Sequence, residues 1–134
     1  MDHARQDALR SGLSVSDPGS VAISARAATL DQVMDELKLS DVRFIKLDVD
    51  GYEYPVLTGG RKTLKRLRPA IALELAPYIH AEHGYSVESL LALLSETGYE
   101  LRNIATLRPI ASDPTFLREA IPAGGSINVL AVSA

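Results

Sequence analysis

The sequence predicts an α/β domain, a mostly parallel sheet with an antiparallel strand from the C-terminal end of the chain and helices on both faces. Three observations predict it. Short apolar runs rich in branched residues alternate with amphipathic stretches of helical period, as in strand–helix–strand units. One run, "DVRFIKLDV" (41–49), reads as a strand buried largely on both faces. The apolar stock is also aliphatic, with no Trp and two Phe in 134 residues, so Leu, Ile, Val and Ala must fill the core.

Taken in order, residues 1–19 are polar, with Ser, Asp, Pro and Gly clustered near their end, and read as a loose lead-in to a domain over 20–134. "SVAISARA" alternates Val21, Ile23 and Ala25 with smaller or polar neighbours, as a half-buried strand does. "TLDQVMDELKL" is a helix: Thr29 and Gln32 form a capping box, and Leu30, Val33, Met34 and Leu37 share one face. After the 41–49 strand, "YPVLTGGRKTLKRLRP" reads as a helix that Gly59-Gly60 interrupts or packs tightly. Its basic last turns suit the negative end of the dipole. "AIALELA" is another strand, and "PYIHAEHGY" a loop or an irregular helical turn. "SVESLLALLSETGY" is a helix that Ser86 caps and Gly98 stops. "YELRNI" and "INVLAVS" are strands on either side of a mostly irregular stretch, 105–125.

Apolar residues at 46% and charged residues at 23% are ordinary globular proportions. A net charge of −3 with mixed signs argues against nucleic acid or an anionic membrane as partner. No cysteine is present, which excludes disulfides, thiolate metal sites and thiol nucleophiles and suits a reducing compartment. No run resembles a signal peptide or reaches the roughly 20 apolar residues of a membrane helix, so a cytoplasmic location is expected.

In an open parallel sheet, ligands bind beyond the carboxyl ends of the strands. Asp48 ends one strand, with Asp50, Gly51 and Glu53 close behind. Glu74 ends the next, with His80 and His83 in the segment that follows. Each also has a plain structural reading. Asp48 and Asp50 can cap the next helix, Glu53 suits a helix start, and the two histidines can sit in an exposed loop. "DVDGYE" lacks the ligand spacing of a calcium loop, and no nucleophile elbow, P-loop or HExxH is present. A metal held by Asp48, Asp50 and Glu74 is demanded by no spacing, and none is expected.

Taken together, "TLDQVMDE", "RFIKLDVDGYEYPVLTGGRKTLKRLRPAIALEL" and "LLSETGYEL" resemble the FkbM-type methyltransferase family over residues 29–103. The resemblance implies a class I, Rossmann-like fold, S-adenosylmethionine as cofactor, and methylation of a hydroxyl on a sugar or other small molecule. Within it, Asp48 and Asp50 lie beside the methyl-transfer site, Asp48 touching the donor as well, and His80 is a candidate base. Lys46, Glu53 and Glu74 fall on the acceptor side. At Asp50 the family more often has Glu. The larger departure is that no G-x-G occurs, although such folds bind the donor through a glycine-rich turn. The chain therefore reads as the C-terminal part of such a domain, without the donor-binding half. The strand ending in Asp48 would then be an open sheet edge, suited to a second copy, a complementing chain or the N-terminal segment. The alternative reading is a non-catalytic remnant or interaction module.

Overall fold

A computed structural model describes residues 14–15 and 23–134. The rest of the expected lead-in, and Val21 of the expected first strand, lie outside the described residues. Ser14–Val15 (β1) and Ile23–Ser24 (β2) pair antiparallel as a two-stranded unit separate from the main sheet.

The first helix, Leu30–Glu36 (α1), starts on the expected capping box. Thr29 Oγ1 accepts the Gln32 N–H at 3.1 Å, and Gln32 Oε1 accepts the Thr29 N–H at 2.8 Å. The main sheet comprises Phe44–Leu47 (β3), Ala70–Leu75 (β4), Tyr99–Asn103 (β5) and Ile127–Ser133 (β6), in the order β3-β4-β6-β5. β3 and β4 are parallel, while β6 runs antiparallel to both β4 and β5. The antiparallel C-terminal strand is thus present, but it lies inside the sheet. Only one of the three pairings is parallel, so the sheet is mixed rather than mostly parallel. The physical reason is the 104–126 connection, which stays at one end of the sheet and so needs no crossover. β3, β4 and β5 still run in one direction, and their carboxyl ends share an edge.

The remaining helices are Glu53–Thr58 (α2), Arg61–Leu67 (α3), Pro77–Glu82 (α4), Val87–Glu96 (α5) and Pro114–Ala120 (α6). Gly59-Gly60 does break the 53–67 stretch in two. A side chain at position 60 would put its Cβ 2.6 Å from Leu30 Cδ2, so the break lets the start of α1 seat against the start of α3. Asp31 completes that joint. Its carboxylate accepts the Lys62 N–H at 3.2 Å, the Thr63 N–H at 2.9 Å and the Thr63 hydroxyl at 2.6 Å. Burial pushes the Asp31 pKa up, but those three hydrogen bonds and the Lys62 charge outweigh it and hold the carboxyl below its ordinary range. The "TLD" and "GG" fragments are therefore two halves of one structural clasp.

Every apolar contribution to the core comes to one face of the sheet. Leu47, Ile71, Leu73, Leu75, Val129 and Ala131 pack with Leu57, Leu64, Leu90, Leu94 and Leu117 from four helices. Strand alternation sends Phe44, Lys46, Ala72, Glu74, Asn128 and Leu130 to the opposite face, and none of these is fully buried. Helices on both faces are thus not found among the described residues. Nor is β3 buried on both faces, since Phe44 is 56% exposed. The reason is local: among the described residues β3 has a sheet neighbour on one side only. At the far edge, residues 108–110 cover β5 through a bridge from Pro109 to Arg102 and an Ile110 N–H bond to the Leu101 carbonyl at 2.9 Å.

Candidate functional site

The exposed face of the sheet carries a cleft of about 450 Å³ at its carboxyl edge. Period-two alternation puts Lys46 and Asp48 on the same side of the β3 strand, and β3–β4 register sets Lys46 opposite Ala72, two residues before Glu74. β6 then brings Asn128 directly opposite Glu74. Lys46, Asp48, Glu74 and Asn128 all line the cleft, with Ile104 from the end of β5 closing one wall. Lys46 and Asp48 are exposed and Glu74 is half-buried. Among the described residues no ion pair joins Lys46 to either carboxylate, and no side-chain hydrogen bond engages Asp48 or Glu74. Three charged groups thus face one cavity with their hydrogen-bonding capacity unspent.

Asp50 does not line this cleft. It sits in the turn behind it with φ 50°, followed by Gly51 at φ 97°. Its side chain is exposed, and its carbonyl accepts the Nε2–H of His83 at 3.0 Å. The His83 ring also lies over Tyr52, with ring centroids 4.1 Å apart.

Glu53 and His80 come together elsewhere. The segment holding His80, read from the sequence as a loop or an irregular helical turn, is helix α4. Pro77 opens it at a position where a missing N–H costs nothing. Both side chains are about 1% exposed. Glu53 Oε1 accepts the Val49 N–H at 3.4 Å, and its Oε2 lies 3.5 Å from His80 Nδ1 with no hydrogen bond of its own. The Ala76 N–H points at His80 Nε2 at 3.5 Å, so Nε2 accepts and Nδ1 carries the proton toward Glu53 and the Gly51 carbonyl, also 3.5 Å away. The structure therefore brings Lys46, Asp48 and Glu74 into one cleft and packs Glu53 and His80 beneath the turn that carries Asp48 and Asp50. Asn128 was missed from the sequence. Its only signal was a polar residue interrupting the apolar final strand.

The unpartnered Asp48 and Glu74 carboxylates suit the cationic end of a sulfonium donor. No glycine-rich turn stands beside the cleft among the described residues to cradle the rest of such a molecule. Among those residues there is also no group of three or more His, Asp or Glu placed to hold a metal ion. No helix among them is long and apolar enough to cross a membrane. A family model described as the methyltransferase FkbM domain matches residues 2–101, from ahead of Thr29 into β5. Neither a curated protein nor a solved structure matches the chain.

Proposed function

The chain belongs to the methyltransferase FkbM domain family, and from that premise we propose that its carboxyl-edge cleft is the acceptor side of a site methylating a small-molecule or sugar hydroxyl. The convergence of Lys46, Asp48 and Glu74 without protein partners carries this reading. The antiparallel final strand and the shared carboxyl edge of β3, β4 and β5 support a partial class I, Rossmann-like sheet as its scaffold. S-adenosylmethionine, when bound, supplies an electrophilic methyl group on a cationic sulfonium.

The chain's own contribution is alignment and charge. Asp48 is placed to offset the positive charge and to accept a hydrogen bond from an acceptor hydroxyl, and holding that oxygen at attack distance is worth several kcal/mol. Asp48 or Glu74 can take the hydroxyl proton, which contributes roughly 10²-fold. Lys46 orients a polar substituent of the acceptor or a neighbouring carboxylate. Asp50 acts at the turn beside them. Glu53 and His80 hold that turn from below, and act as positioning residues rather than in contact with substrate.

Titration calorimetry tests the reading. S-adenosylmethionine is expected to bind measurably but weakly, below millimolar, since no glycine-rich turn stands beside the cleft among the described residues to cradle it. Asp48→Asn should weaken that binding about tenfold, the equivalent of one charge-assisted contact. Absence of binding at millimolar donor would sink the proposal and favour the alternative, an interaction module that keeps the sheet and lacks the donor site. A cytoplasmic setting belongs to the same proposal, supported by the absence of cysteine.

We also propose that the side of β3 left without a sheet neighbour among the described residues pairs with a second copy of this chain or with a complementing chain. Unpaired backbone groups on an apolar strand invite such pairing, and Phe44 at its start is more than half exposed. Light scattering should give a mass above the 14.4 kDa of one chain, and Phe44→Lys should lower it. A monodisperse 14.4 kDa particle in the unmodified protein would rule out pairing with a second copy.

A further inference from the structure

A second cleft, of about 460 Å³, opens on the helix-covered side of the same sheet edge. Its walls are Pro109, Ile110 and Ala111 from the loop after β5, Phe116 and Ala120 from α6, and Ile127 from β6. Arg108, Asn103 and Thr106 provide the polar part of the lining.

The loop that forms one wall is fixed by hydrogen bonds. Asn103 Oδ1 accepts the N–H groups of Ala105 and Thr106 at 2.9 and 3.0 Å. The Leu107 N–H reaches the Asn103 carbonyl at 2.8 Å, and the Asn103 N–H reaches the Arg108 carbonyl at 2.9 Å. Within so well-bonded a segment, exposed apolar side chains need an account. Ile104, Leu107 and Phe116 are 45, 53 and 48% exposed, three of the seven large hydrophobic residues exposed among those described. Of the three, Phe116 lines this cleft, whereas Ile104 lines the acidic one on the opposite face. Leu117, the next residue after Phe116, is fully buried and anchors α6 to the core. The Arg108 guanidinium has no carboxylate partner among the described residues.

We propose that this cleft binds a small amphipathic anion, its apolar body against Phe116, Pro109 and Ile127 and its acidic group at Arg108. The concavity suits a small molecule, since a protein partner requires about 800 Å² of surface on each side. A net charge of −3, with Arg108 the cation lining this cleft among the described residues, does not suit an anionic bilayer. The two clefts lie on opposite faces of the same sheet edge. Asn103 and Ile127 line the apolar one, and their chain neighbours Ile104 and Asn128 line the acidic one. Binding at this cleft is therefore independent of the methyl-transfer reading above.

The test uses decanoate and decanol as probes, by calorimetry on the full chain with no methyl donor present. Decanoate is expected to bind saturably and about tenfold more tightly than decanol, the margin of one charge-assisted contact. Arg108→Ala should abolish that margin, and Phe116→Asp should weaken both probes with circular dichroism and melting temperature unchanged. No saturable decanoate binding, or binding that Arg108→Ala leaves as it was, would overturn the proposal. So would equal, Phe116-dependent binding to anionic phospholipid vesicles, which would make the patch a membrane contact. Failure of S-adenosylmethionine binding alongside success here would remove the methyl-transfer reading and leave this one standing.

Discussion

Gly51→Ala is expected to lower the midpoint of thermal unfolding by roughly 10 °C, on the scale of about 3 °C per kcal/mol for a domain of this size. Two independent effects add at this position. The backbone there has φ 97°, a conformation that costs an L-residue about 1–2 kcal/mol. A Cβ would also stand 2.5 Å from His83 Cδ2, 2.6 Å from Ile79 Cγ2 and 3.0 Å from the Ile79 carbonyl oxygen. Relieving such overlap means pushing α4 away from the turn, at a typical overpacking cost of about 1–3 kcal/mol. The His83 ring can swing aside, but the Ile79 carbonyl is backbone and cannot. Displacing α4 would loosen the His83 bond to the Asp50 carbonyl as well, so the cleft side of the turn should lose its geometry with its stability. Gly51→Asn separates the two effects: Asn tolerates positive φ but keeps the clash. An alanine variant melting within about 2 °C of the parent would show that the turn is not held as described.

How much of this was legible in the sequence depended on the range of the interaction. Local signals read correctly. Thr29 with Gln32, and Ser86 with its bond to the Ser89 N–H, cap α1 and α5 as their spacing implies. The period-two pattern placed Lys46 and Asp48 on one side of a strand, and the parallel direction of β3 and β4 placed Glu74 near them. Long-range partners did not read. Asp31 looks like an ordinary first-turn acid, yet it caps a helix beginning 30 residues later, and no local pattern encodes that. His80 sits in a polar-looking segment, and only the fold reveals that Glu53 lies beneath it. α6 was missed although Asp113-Pro114 is a good helix start, with Asp113 Oδ1 accepting the Thr115 N–H at 2.9 Å. The three prolines between 105 and 125 masked it. β3 was over-read for the opposite reason: an apolar run records what a strand can bury, and neighbours decide what it does bury.

The buried pair yields the second large effect, a loss of about 3 kcal/mol or more of stability for Glu53→Ala in urea unfolding. Removing the carboxylate leaves two buried donors without an acceptor, at about 1–3 kcal/mol each, and empties the space its side chain fills. Here the loss would fall on His80 Nδ1 and on the Val49 N–H, the two donors that the carboxylate faces. That arrangement makes a sharper variant available. Both neighbours donate, so a side chain at position 53 must offer two acceptors, and a glutamine amide offers one acceptor and one donor. Glu53→Gln should therefore still lose about 1–3 kcal/mol, the cost of a buried donor left unsatisfied, although shape and volume are kept. The double variant Glu53→Ala/His80→Ala should be less destabilised than the sum of its parts, by about 1 kcal/mol or more for residues in direct contact. Additive losses, or a glutamine variant as stable as the parent, would mean that the pair merely fills space. If the coupling is found, S-adenosylmethionine binding by the same variants measures what the pair does for the site. A positioning role weakens binding in step with the disturbed turn, while Asp48→Asn weakens it with the fold intact.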